Sequence, residues 1–195
     1  MILGIAGATS EIAKKYRERY ADGFDVICER DIAKLPLNCD QYLICSGVLF
    51  GGNIAAMDYE NVEETFRVNY INIARFCDTV FNANGNARIC IIGSASGIKG
   101  SFDMAYAGAK SAMHLYVKTK RLKTAGQHLV CVAPWYVHDA GMTKRRKDLG
   151  QILVQGEKRR LKRWMSSKEI AKIAYFALGT DAVCNTVIEA QGGNW

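Results

Sequence analysis

Tyr106 and Lys110 stand four residues apart in a stretch with helical patterning. On a helix that spacing puts both side chains on one face, one turn apart. A phenol ordinarily titrates near 10, and an ammonium group beside it favours the phenolate, so the pair could give and take a proton. Spacing alone does not single it out, because Tyr116 and Lys120 repeat it on what reads as the same helix. Ten residues place that second pair about 15 Å further along. Tyr106 lies near the helix start, close to a strand end, and is the chemical candidate; Tyr116 and Lys120 read as packing or surface residues.

A second constellation follows the first apolar strand, where Gly7-Ala8-Thr9-Ser10-Glu11-Ile12-Ala13 leads directly into a helix. Glycine lets the backbone turn sharply, small residues permit close approach, and the free amides of the new helix suit an anion such as a pyrophosphate. Thr9 and Ser10 add hydroxyl donors.

The elements that must position these groups alternate along the chain. Strand candidates are Ile2–Ala6, Phe24–Cys28, Gln41–Cys45, Arg88–Gly93, His128–Ala133 and Thr186–Ala190, with helices near 10–21, 60–83, 104–124 and 166–178. Alternation of this kind predicts an α/β fold, a parallel sheet with helices on both faces. Residues Glu29 to Asp40 are too few for a helix, a further strand and their turns, so one βα unit is missing there. Residues 137–165 carry no strand pattern and are expected to form a substrate lid over the carboxyl edge of the sheet.

The chain has 195 residues, 49% of them apolar and 23% charged, a composition that suits one folded domain over 1–195. No apolar run reaches the roughly 20 residues of a membrane span, and the apolar start breaks too early for a signal peptide, so a cytoplasmic protein is expected. Seven cysteines without CxxC spacing read as free thiols rather than as disulfides or a metal site. The formal charge of +7 is concentrated in residues 144–163, where nine Lys and Arg face only Asp148 and Glu157. A neutral body with one cationic segment points to a local anionic partner, such as a phosphorylated or carboxylated substrate, more than to nucleic acid.

At Gly7, Glu11 and Ala13 the chain resembles the GxxxGxG turn of the short-chain dehydrogenase/reductase family, with two glycines replaced. Ile91-Ile92-Gly93-Ser94-Ala95-Ser96-Gly97 is similar to the family's apolar strand ending in Ser-x-x-Gly, twelve residues from Ser94 to Tyr106. Phe66-Arg67-Val68-Asn69 resembles its asparagine motif, and Cys45-Ser46-Gly47 its Asn-Asn-Ala-Gly stretch. Pro134-Trp135-Tyr136-Val137 resembles the Pro-Gly-x-Val turn, with Trp135 for glycine, and Glu189-Ala190-Gln191-Gly192-Gly193 the closing Asp-Gly-Gly.

The resemblance implies a single Rossmann-like, doubly wound parallel sheet of about six strands. It implies NAD(P)-dependent interconversion of a carbonyl and a secondary alcohol, in which a proton donor must meet the developing alkoxide. Tyr106 would be the acid/base, Lys110 would lower its pKa and hold the nicotinamide ribose, Ser94 would hold the substrate oxygen with Ser96 in reserve, and Asn69 would relay protons. Cofactor contacts would come from Gly7, Thr9, Ser10, Ile12, Ser46, Gly47, Lys110 and Val137. Arg30, where NAD-specific members keep an aspartate, would pair with the 2′-phosphate of NADP. A homodimer or homotetramer assembled through the helices at 60–83 and 104–124 is also implied. Glu11, Trp135 and the missing unit sustain an alternative, a catalytically impaired nucleotide-binding or interaction protein.

Overall fold

The computed structural model describes residues 1–146 and 148–193. Six strands, β1 (Ile2–Ala6), β2 (Asp25–Glu29), β3 (Gln41–Ile44), β4 (Arg88–Ile92), β5 (His128–Pro134) and β6 (Thr186–Ala190), form one parallel sheet in the order β2-β1-β3-β4-β5-β6. Ala6 at the end of β1 pairs with Glu29 on one side and with Ile44 on the other. The strand order reverses there, which opens a crevice above the carboxyl ends of β1 and β3.

Apolar residues alternate between the two faces of the sheet, and each face carries its own core. On one, Leu3, Leu43, Val130 and Val132 meet Ile12 and Tyr16 of α1 (Glu11–Tyr20) and Ile170 and Ala174 of α8 (Ser167–Gly179). On the other, Tyr42, Ile89, Ile91 and Leu129 meet Phe76 and Val80 of α3 (Asn72–Ala83) and Met113 and Val117 of α5 (Met104–Thr119). The sheet is therefore doubly wound, as expected.

In place of the missing unit the chain makes one 3-10 turn, Ile32–Lys34. Ile32 and Leu35 bury themselves in the second core. The Tyr42 hydroxyl donates to Pro36 O at 2.7 Å and accepts from Cys39 N at 3.0 Å, so side chains satisfy a connection too short to hold a helix.

The helix expected over 60–83 is interrupted: α2 (Tyr59–Phe66) passes through a π turn, Arg67–Ile71, into α3. The one expected over 104–124 ends at Thr119, where Asn185 Nδ2 donates to the carbonyls of Val117 and Lys120 and so closes it from outside. Residues 137–165 leave and rejoin the body at one place, since Val137 and Met165 form a β-bridge. Between them lie α6 (Gly141–Lys144) and α7 (Leu149–Glu157). Trp164, buried against Gly156, donates its indole N–H to Ile152 O. All seven cysteines are free thiols. Among the described residues no helix is long and apolar enough to cross a membrane.

Candidate active site

A cleft of about 1090 Å³ runs along the carboxyl edge of the sheet. At the β1–β2 end it takes in Gly7, Thr9, Ser10, Ile12 and Arg30, and in the middle Ser46 and Gly47. Beyond β4 it is lined by Ser94, Tyr106, Lys110 and Val137. Ser96 does not line it; its amide donates to Ser94 Oγ at 3.2 Å, which fixes the Ser94 side chain at the strand end.

Gly7 adopts φ +69, and a Cβ there would lie 2.7 Å from both Cys45 C and Ser46 N. Only glycine lets the first turn press against the end of β3 in this way. Ser10 caps α1, its hydroxyl accepting from Ala13 N at 3.1 Å. Glu11, which replaces a family glycine, also lines the cleft, and its carboxylate is turned to Lys14 at 2.7 Å. Arg30 has no carboxylate within salt-bridge distance among the described residues.

Tyr106 and Lys110 occupy the first turns of α5, 8% and 2% exposed. Asp103 caps this helix, Oδ1 accepting from Tyr106 N at 2.9 Å. Lys110 Nζ donates to Ile92 O at 3.3 Å and sits 5.7 Å from the centroid of the Tyr106 ring. Burial pushes the Lys110 ammonium down to about 8, while the thiols of Cys131 and Cys45 pull it upward. Burial pushes the Tyr106 phenol up to about 12; the Ser94 hydroxyl draws it down and the Asp103 carboxyl adds to the rise.

The expected lowering of the phenol by Lys110 is thus not what this site does. The ammonium is itself buried, is bonded to a main-chain carbonyl and lies beside the ring. Burial of the phenol is the largest cause and sets the direction of its shift.

Asn69 lies behind the cleft, on the π turn. Its Nδ2 donates to Val48 O and Thr65 O, both at 2.9 Å, and its buried Oδ1 has no partner. A Cβ on Gly47 would come within 2.9 Å of that oxygen and 3.7 Å of Lys110 Nζ, so Gly47 is the thin wall between the asparagine and the cleft.

Tyr116 and Lys120 both bond Asp78, tying α5 to α3 away from the cleft. Neither residue lines the cleft.

Trp135 lines the cleft, but its ring is held in a stack. The Arg159 guanidinium lies 4.0 Å from its centroid and 4.8 Å from that of Trp164, with Lys99 Nζ at 4.6 Å over Trp135. Arg160 packs along Gly193. Among the described residues of the segment between Val137 and Met165, the cations in the cleft wall are Arg145 and Arg146, with Arg146 bonded to Asp148 at 2.8 and 2.9 Å and lying over the Tyr136 ring.

Residues that the sequence did not mark include Asp103, legible as an acidic residue at a helix start, and His114. His114 is buried one turn beyond Lys110, its Nε2 2.6 Å from where a Cβ on Gly93 would be. Nothing in residue spacing announces it.

No protein-family model and no curated protein matches the sequence. Solved structures do match the fold. The 3-alpha-hydroxysteroid dehydrogenase of a Pseudomonas species, complexed with NADH, is 21% identical with a TM-score of 0.78 over 99% of this chain and 96% of that one. BdcA in complex with NADPH is 16% identical with a TM-score of 0.80 over 99% and 94%. A Burkholderia thailandensis oxidoreductase of the short-chain dehydrogenase/reductase family is 17% identical with a TM-score of 0.81 over 98% and 91%. The chain therefore has the fold of short-chain dehydrogenases/reductases.

Proposed function

We propose that this chain is an NAD(P)-dependent oxidoreductase that interconverts a carbonyl and a secondary alcohol. The observation that carries the reading is the convergence of Ser94, Tyr106 and Lys110 in the cleft that begins at the Gly7 turn. Structures of the same fold hold NADH and NADPH. The residues here fit such a dinucleotide: Gly7 provides a close approach that a Cβ would fill, and the buried Ser46 hydroxyl beside it has no partner.

When bound, the dinucleotide supplies or accepts the hydride. Gly7, Thr9, Ser10 and Ile12 would take its pyrophosphate, Ser46, Gly47 and Val137 would border it, and Arg30 would favour a 2′-phosphate, so NADP over NAD. Lys110 would hold the ribose beside Tyr106. A phenol held near 12 keeps its proton at neutral pH, which suits Tyr106 to donate to an alkoxide developing on the substrate. Ser94 would hold that oxygen by a hydrogen bond that strengthens as charge grows, and Asn69 would support Lys110 from behind Gly47.

Ala140, Gly141, Met142 and Thr143 would border the substrate, with Arg145 available to an anionic group. Exposed Ile71 and Leu115, on the π turn and α5, support a homodimer or homotetramer through those helices. The seven free thiols are consistent with a cytoplasmic site.

The test is thermal denaturation with NADPH or NADH, followed by turnover of Tyr106→Phe. Millimolar cofactor should raise the Tm. Tyr106→Phe should keep that rise while losing roughly 10²–10⁴-fold in kcat, and Tyr116→Phe should turn over as the parent does. No rise with either dinucleotide would end the reading at its first step.

A further inference from the structure

Asp103 does more than cap a helix. Its side chain is 4% exposed, and both carboxyl oxygens are used. Oδ1 accepts from Tyr106 N at 2.9 Å, and Oδ2 accepts from Gly51 N at 3.1 Å, across 52 residues of chain. The first bond fixes the start of α5, which carries Tyr106 and Lys110. The second fixes the loop after β3, which carries Ser46, Gly47 and Phe50 into the cleft wall.

A cap needs one acceptor, and Ser, Thr or Asn would serve. Here each of the two amides takes its own oxygen, and a carboxylate supplies two acceptor oxygens where an asparagine supplies one. An asparagine could cap Tyr106 N, but its NH₂ would then face the Gly51 N–H, donor against donor.

We propose that Asp103 is a positioning residue, which locks the Tyr106 helix to the Gly51 loop and sets the charge that the phenol faces. The proposal rests on the reading of Tyr106 as the proton donor. The groups facing that phenol are Ser94 from the end of β4, Lys110 from α5 and Asp103 itself. Arg146 and its partner Asp148 come from the lid, and Asp103 is among the charges that hold Arg146 above its ordinary value, after its hydrogen bond to Asp148 and the Tyr136 ring. Of these, Asp103 raises the phenol by charge, because a nearby anion opposes phenolate formation. Its removal therefore lowers the midpoint, and a substitution that keeps the charge does not.

Amide hydrogen exchange and alkaline titration of ring-labelled tyrosine, with the Tyr106 resonance assigned by its loss in Tyr106→Phe, test both parts. In Asp103→Asn the Tyr106 amide should stay protected while the Gly51 amide exchanges at least tenfold faster. The Tyr106 midpoint should fall by roughly half a unit. Asp103→Glu, which keeps the charge, should return the midpoint towards that of the parent. Unchanged Gly51 exchange in Asp103→Asn, or a midpoint that stays put there or falls equally in Asp103→Glu, overturns the proposal. Neither readout needs turnover. Absence of cofactor binding would defeat the enzyme reading while exchange and titration still decide the role of Asp103.

Discussion

The ammonium of Lys110 lies 5.7 Å from the centre of the Tyr106 ring, one helical turn away, on a residue only 2% exposed. Its pKa, about 8 against an ordinary 10.5, expresses the cost of keeping a cation there.

That cost predicts a trade of stability against activity. Between pH 8 and 10.5 the unfolded chain holds a proton on Lys110 that the native chain has released, so native stability from this group rises with pH across that window. Below pH 8 the native state bears the full burden, on the order of 3 kcal/mol. Lys110→Met should be more stable than the parent in urea at pH 7, with the gap shrinking by pH 10.5, and should be inactive. A variant weaker than the parent at pH 7 would contradict the burial argument.

His114 predicts a slope of the same sign in acid. Burial, with Lys110 and Lys118 nearby, pushes its imidazole down to about 4 from 6.5. The native state keeps the ring neutral where the unfolded chain protonates it, so stability is full above pH 6.5 and drains away towards pH 4. At pH 5 the loss from this residue should be roughly 2 kcal/mol. His114→Leu should flatten the fall between pH 7 and 5, with a remainder from His128, which burial also lowers. Identical slopes in parent and variant would show that the imidazole is not the cause.

Three arginines of the segment between Val137 and Met165 divide by position. Arg145 lines the cleft, whereas Arg159 is stacked on Trp135 and Trp164 and Arg160 lies along Gly193. With a phosphorylated and a neutral form of the same carbonyl compound, Arg145→Ser should raise KM for the charged form about tenfold and leave the neutral form alone. Arg160→Ser should change neither. Arg159→Ala should lower the Tm by loosening the two indoles, an effect of about 1 kcal/mol. Equal KM changes from Arg145 and Arg160 would count against this division.

Much of the sheet was legible because its strands are short apolar runs whose spacing allows few arrangements. The turn at Gly7 and the helix start at Tyr106 were legible because glycine and the four-residue spacing act locally. The π turn was not, since helical periodicity runs through Arg67–Ile71 unbroken and the turn accompanies Asn69 bonding Val48 O, 21 residues away. The end of α5 at Thr119 depends on Asn185, which lies much further away along the chain. The phenol's upward shift belongs to tertiary burial, which spacing does not encode. Arg159 and Arg160 shared a charge run with Arg145, and only the path of the chain separates their surroundings.

Dropping one βα unit also moves the margin of the sheet. β2 becomes its outermost strand on that side, with one row of amides and carbonyls facing outward. A bare parallel margin invites a stray strand from another molecule to add itself. Here the margin is five residues long and bears a carboxylate at each end, Asp25 and Glu29, with three apolar positions between them. Two such margins brought together would repel at both ends, so the shortening also leaves a boundary poorly suited to self-association.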